Sequence, residues 1–286
     1  MTSYTIDHTW DSTLTFRANN ISHQVFRKGD PANPGVVLMH ELPGMSPECI
    51  CLAEEIIKEG FRVYLPLFFG KPGHTNMAGN FVRICIRREF HFLANHSSGP
   101  ITDWLRALCD LAHEECNGRG VGAIGMCLTG GFALSMMVNP SPVMAPVLSQ
   151  PSLPIVMIPF LQDKEEVHRS FGVSQEGISA TKEWALEQKV SNPDFTLPIF
   201  RFAEDPLCPQ AKIDSLREQV GTEMIVPDEG ADGRISTISQ AQREAAGIPE
   251  DKTHSVLTGY SGNGQDDDPT EIARKQVIEY LKEQLV

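Results

Sequence analysis

Positive charge is in short supply in this chain: 24 lysines and arginines stand against 37 aspartates and glutamates, a formal net charge of −13. That balance argues against nucleic acid and against an anionic membrane surface as partners, since both are held by clustered cations. No run approaches the roughly 18 consecutive apolar residues of a membrane-spanning helix. The opening MTSYTIDHTWDST has neither the basic nor the apolar region of a signal peptide, so the expected location is cytoplasmic. The seven cysteines are odd in number and irregularly spaced, which rules against a disulfide framework and suits a reducing compartment. Cys49-x-Cys51 is one residue short of a redox CxxC and has no second pair at zinc-ligand spacing, so it reads as helix-face packing. Internal repeats are absent as well. What remains is a small-molecule or protein partner for a chain that works as a monomer or homodimer.

A length of 286 residues lies within reach of a single α/β domain. The chain reads as one domain over 1–286, with 221–252, rich in Gly, Asp and Pro, as an insertion. Strands are expected near 13–17 and 21–28, then at 35–39 (GVVLM), an apolar run suited to a parallel strand buried on both faces. A helix over about 47–59 carries Cys49, Leu52, Ala53 and Ile56 at spacings of three and four. Residues 61–69 read as a strand, 79–95 and 101–116 as helices, and 121–126, 143–149, 155–161 and 197–204 as strands. A helix is expected at 210–219, a strand or strand end at 254–260, and a closing amphipathic helix at 270–285. Strands alternating with helices imply an α/β fold on a mostly parallel sheet with helices on both faces.

The most informative stretch is 121–131, VGAIGMCLTGG. A buried strand turns at Cys127 into a small-residue helix, the layout of a nucleophile elbow with cysteine in place of serine. Strand and helix must approach closely at such a turn, so its neighbours must be small, and Gly125, Gly130 and Gly131 meet that need. The helix N-terminus favours a thiolate there, and the Leu128 N–H can hold an oxyanion. Thr129 departs from the pattern, which has glycine two residues after the nucleophile. The competing reading makes Cys127 a small buried residue at a Gly-rich strand end.

In such sheets ligands gather at the carboxyl ends of the strands. Three polar groups fall there: His40-Glu41 after GVVLM, Asp205 after LPIFRFAE, and His254 beyond the 221–252 segment. Cys127, Asp205 and His254 follow the nucleophile, acid, base order of the α/β-hydrolase fold. Each has a plainer reading, since Asp205 before Pro206 can simply start a turn and a loop histidine is ordinary in a chain with nine. Three independent elements delivering the right types in the right order make the stronger case. A cysteine needs a base to become a thiolate, and an imidazole needs a carboxylate to fix its tautomer.

These residues resemble the dienelactone hydrolases (carboxymethylenebutenolidases). The resemblance is carried by Gly125-Met126-Cys127-Leu128 followed by glycines, by Glu41 just after the early strand, by Asp205 and by His254-Ser255. Element order agrees from about residue 35 to the C-terminus. The resemblance implies an α/β-hydrolase fold and a carboxylic ester hydrolase with Cys127, Asp205 and His254 as its triad. Glu41 would help deprotonate the thiol, and the N–H groups of Leu128 and Leu42 would bind the oxyanion. A structural role for Glu41, accepting hydrogen bonds from loop N–H groups, stays open beside this. The chemistry requires no metal and no organic cofactor. Family members hold a substrate carboxylate with two arginines. Arg83, Arg87 and Arg88 lie in the region of the first, where the competing reading is a solvated helix face, and Thr258 stands in place of the second. The expected substrate is a small lactone or ester. A thioesterase, a broad carboxylesterase and a non-catalytic binding protein of the same fold are the alternatives.

Overall fold

Apolar runs without polar alternation need a packing layer on each face, and the architecture supplies it. The computed structural model describes residues 4–76, 99–152, 168–228, 236–259 and 268–286. Within them the strands are β1 (Asp11–Ala18), β2 (Ile21–Lys28), β3 (Gly35–Met39), β4 (Arg62–Leu67), β5 (Val121–Met126), β6 (Val143–Ser149), β7 (Ile199–Phe202) and β8 (Thr237–Ile238). They form one sheet in the order β1-β2-β4-β3-β5-β6-β7-β8. β2 pairs antiparallel with β1 and with β4. Every pairing from β4 through β8 is parallel. This is the α/β architecture expected from the sequence, an α/β-hydrolase fold.

Among the described residues the α-helices are α1 (Pro47–Lys58), α2 (Pro100–Glu115), α3 (Gly130–Ser135), α4 (Gln175–Ser191), α5 (Gln210–Val220), α6 (Gln240–Ala245) and α7 (Pro269–Leu285). Helix α1 is capped by Ser46, whose hydroxyl accepts the Cys49 N–H at 3.2 Å, with Pro47 in the first turn, so a side-chain cap and a preset φ act together. Its Cys49, Leu52, Ala53 and Ile56 are buried. Cys51 instead sits partly exposed and donates to Glu55 at 3.3 Å, so the two cysteines serve separate packing roles.

Two positions of β5 show where the helices lie. A Cβ on Gly122 would stand 2.7 Å from Leu281 of α7, while one on Gly125 would collide with the Thr129 carbonyl and stand 3.0 Å from the Ala133 Cβ of α3. Strand residues three apart point to opposite faces, so α7 and α3 cover opposite sides of β5. Both faces of β5 are therefore covered, and the elbow lies at its carboxyl end.

One expectation is corrected. Residues 254–259 form a loop, not a strand. Val256 and Leu257 are fully buried there, and α7 fixes the loop through Arg274, whose Nε donates to the Leu257 carbonyl at 2.7 Å. The 221–252 segment supplies β8, paired with β7, and α6. The expected helix at 79–95 and strand at 155–161 lie outside the described residues. No helix among the described residues is long and apolar enough to cross a membrane.

Candidate active site

The strand-to-helix turn after β5 holds Cys127 at φ +54°, the left-handed region that costs a non-glycine residue on the order of 1–3 kcal/mol. Three contacts hold it there. Gly125 leaves room for the Thr129 carbonyl, and Gly130 leaves room for Pro151, whose Cα would stand 2.8 Å from an added Cβ. The Ser152 N–H donates to the Cys127 carbonyl at 3.1 Å. Thr129, the departure from the glycine pattern, has its own function in the turn. Its hydroxyl oxygen accepts the Met126 N–H at 2.8 Å and lies 3.1 Å from the Met39 carbonyl, so it ties the elbow to the end of β3, where the His40-Glu41 loop begins.

Asp205 follows β7 in a tight loop organised by Arg201. That buried guanidinium donates to the carbonyls of Phe202 at 3.0 Å and Cys208 at 2.8 Å, and to Gln210 at 2.8 Å. The loop in turn aims the carboxylate. Asp205 Oδ1 accepts the Leu207 N–H at 2.9 Å, and Oδ2 lies 2.9 Å from His254 Nδ1. The Asp205 side chain is completely buried while His254 remains 26% exposed. Burial alone would lower the His254 pKa, but the Cys127 sulfur and the Asp205 carboxylate outweigh it and hold the imidazole well above its ordinary value.

Glu41 completes the cluster: one ligand-type atom each from Glu41, Cys127 and His254 lie within 4.8 Å of one another. The Glu41 carboxylate accepts from the Thr258 hydroxyl and from Gln150 Nε2, the latter at 3.1 Å. Burial pushes its pKa up, against the opposing pull of His254 and these donors. The neighbouring His40 is a clamp. Its Nε2 accepts the Phe68 N–H at 3.1 Å, which leaves the proton on Nδ1 to donate to the Glu41 carbonyl at 3.1 Å. The Gly44 N–H reaches the same carbonyl at 2.9 Å. In a trans peptide this carbonyl and the Leu42 N–H point in opposite directions, so the clamp also fixes the direction of the Leu42 N–H, away from His40 and Gly44. Neither the Leu42 nor the Leu128 N–H has a hydrogen-bond partner among the described residues.

The fold thus brings Cys127, Asp205, His254 and Glu41 to one end of the sheet. Arg83, Arg87 and Arg88 lie outside the described residues. Two contributors were missed by the sequence reading, Gln150 and Ser152. Ser152 Oγ stands 3.1 Å from Cys127 Sγ. Gln150, at φ +33°, bonds Glu41 and accepts the Val256 N–H at 3.3 Å, linking the Glu41 loop to the His254 loop. A signal was present, because both residues directly follow the carboxyl end of β6, where ligands of a parallel sheet gather.

The model of the dienelactone hydrolase family matches residues 21–220. The chain belongs to the dienelactone hydrolase family. Solved structures agree on the fold. A dienelactone hydrolase from Anabaena variabilis is 14% identical, with a TM-score of 0.53 over 98% of this chain and 100% of that one. A dienelactone hydrolase-like promiscuous phosphotriesterase from metagenomic libraries is 13% identical, with a TM-score of 0.56 over 97% and 96%. An esterase from Pyrococcus furiosus is 11% identical, with a TM-score of 0.50 over 96% and 92%. No curated protein matches the chain. Thr258, which the resemblance aligns with a substrate-binding arginine, donates its hydroxyl to Glu41.

Proposed function

We propose that this protein is a cysteine hydrolase of small lactones or esters, with Cys127 as nucleophile, His254 as base and acid, and Asp205 orienting the imidazole. The observation that carries the reading is the strained placement of Cys127 in reach of an imidazole whose far nitrogen is bonded to a buried carboxylate. Backbone strain of this kind persists where the surrounding structure over-determines it and is concentrated at active sites.

The proton shared by Cys127 and His254 rests on the imidazole as Sγ attacks the carbonyl carbon, and the Leu42 and Leu128 N–H groups receive the developing oxyanion. Collapse of the tetrahedral intermediate breaks the bond to the alkoxide, which takes the proton from His254. In a lactone the leaving alcohol remains attached to the acyl group. Water, deprotonated by His254, then hydrolyses the thioester and regenerates the thiol. Nothing in this cycle needs a metal or an organic cofactor.

Thr258 favours neutral substrates, because a buried hydroxyl engaged with Glu41 offers no positive charge to a substrate carboxylate. A thioesterase or a broad carboxylesterase acting through the same site is the alternative reading, favoured by the same neutral residue. Assays on 4-nitrophenyl esters and small lactones test the reading: wild type turns over, and His254→Ala loses about 10²–10⁴-fold in kcat. Tight lactone binding without turnover would support the non-catalytic alternative.

A further inference from the structure

The Cys127, His254 and Glu41 cluster has the donor set of a thiophilic metal site. Its three ligand atoms lie within 4.8 Å of one another. Bonds of about 2.0–2.3 Å at tetrahedral angles place zinc ligands roughly 3.3–3.6 Å apart, so closure needs shifts on the order of 1 Å. A second observation also points to a ligand. His254 Nε2 is buried and faces the Cys127 sulfur with no hydrogen bond at ordinary distance, while Nδ1 faces Asp205 at 2.9 Å. A carboxylate behind an imidazole is the arrangement that fixes the tautomer and orientation of zinc-bound histidines. The Glu41 carboxylate is likewise fixed, Oε2 by Gln150 and Oε1 by Thr258, so a metal would take the second lone pair of one oxygen. Three protein ligands would leave a fourth position for water.

We propose that this site reversibly binds a zinc ion through Cys127 Sγ, His254 Nε2 and a Glu41 carboxylate oxygen, and that the ion switches the enzyme off. Binding displaces the shared proton to solvent and forms the zinc–sulfur bond, with no change in oxidation state. It also occupies the Nε2 lone pair with which His254 accepts a proton, so nucleophile and base are blocked together. Zinc is here an inhibitor and not a cofactor of hydrolysis. The proposal rests on the hydrolase reading only for its effect on turnover; metal binding stands or falls by itself.

The test is iodoacetamide labelling of Cys127, followed by peptide mass spectrometry, with and without zinc chloride. Zinc is expected to slow labelling of Cys127 by about tenfold or more, with Cys51 and Cys116 unaffected, and a chelator should restore the rate. Cobalt(II) replacing zinc should give a thiolate charge-transfer band that Cys127→Ser abolishes. Asp205→Asn, acting behind the imidazole, should weaken zinc protection by about 10–100-fold. Unchanged Cys127 labelling at saturating zinc overturns the proposal, as does a cobalt band that survives in a folded Cys127→Ser protein. If zinc protects Cys127 in a protein that hydrolyses nothing, the metal site stands and the hydrolase reading fails. If turnover is normal and zinc leaves both rate and labelling untouched, the reverse holds.

Discussion

The hydroxyl of Thr258 donates to the Glu41 carboxylate, joining the loop after His254 to the loop after β3. Both residues are buried, Glu41 to 4% exposure and Thr258 to 8%. The contact replaces a cation with a neutral donor at the place where the family resemblance puts a substrate-binding arginine. A charge-assisted hydrogen bond contributes about 1.5–3 kcal/mol, so its loss removes roughly tenfold to hundredfold of preference for an anionic substrate. A matched pair, one lactone with its carboxylate free or methylated, is expected to show similar kcat/KM values. A strong preference for the free acid would show that another cation binds the carboxylate.

The elbow depends on Thr129 through hydrogen bonds that valine cannot make. Thr129→Val keeps the shape but leaves the buried Met126 N–H without its 2.8 Å acceptor, at a cost of about 1–3 kcal/mol. Urea unfolding is expected to show that loss together with reduced turnover. An unchanged midpoint would mean that the turn is held by its glycines alone.

How far the sequence revealed this site can be read residue by residue. Strand β6 falls where the apolar run 143–149 places it, and α1 shows the three-and-four spacing that buries Cys49, Leu52, Ala53 and Ile56. Cys127, Asp205 and His254 were legible because order along the chain maps onto strand ends in a parallel sheet. Strand β8 was not, since the two residues Thr237–Ile238 carry no periodicity. Helix α4 escaped notice because only Ile178, Thr181, Trp184 and Ala185 are buried along its 17 residues. Val256 and Leu257 misled the reading, since apolar residues buried in a loop look like a strand when only composition is seen.

The His40 clamp makes an acid-sensitive fold. Burial holds its pKa down at about 4, below the ordinary histidine value of about 6.5. The unfolded chain therefore takes up a proton that the folded chain refuses. The stability contribution is complete above about pH 6.5 and is lost as pH falls toward 4, by about 3 kcal/mol. Urea titrations across that window should show a shallower pH slope for His40→Asn than for the parent protein. Identical slopes would assign the acid sensitivity to other groups.

The central claim is that Cys127 carries the acyl group, and intact mass spectrometry of a rapidly acid-quenched reaction with a 4-nitrophenyl ester tests it most directly. The account predicts a transient mass increase equal to the acyl group, mapped to the peptide holding Cys127, removed by hydroxylamine and missing from Cys127→Ala, which should be folded and inactive. Turnover by Cys127→Ala near the parent rate, or an acyl adduct on another residue during turnover, would contradict it.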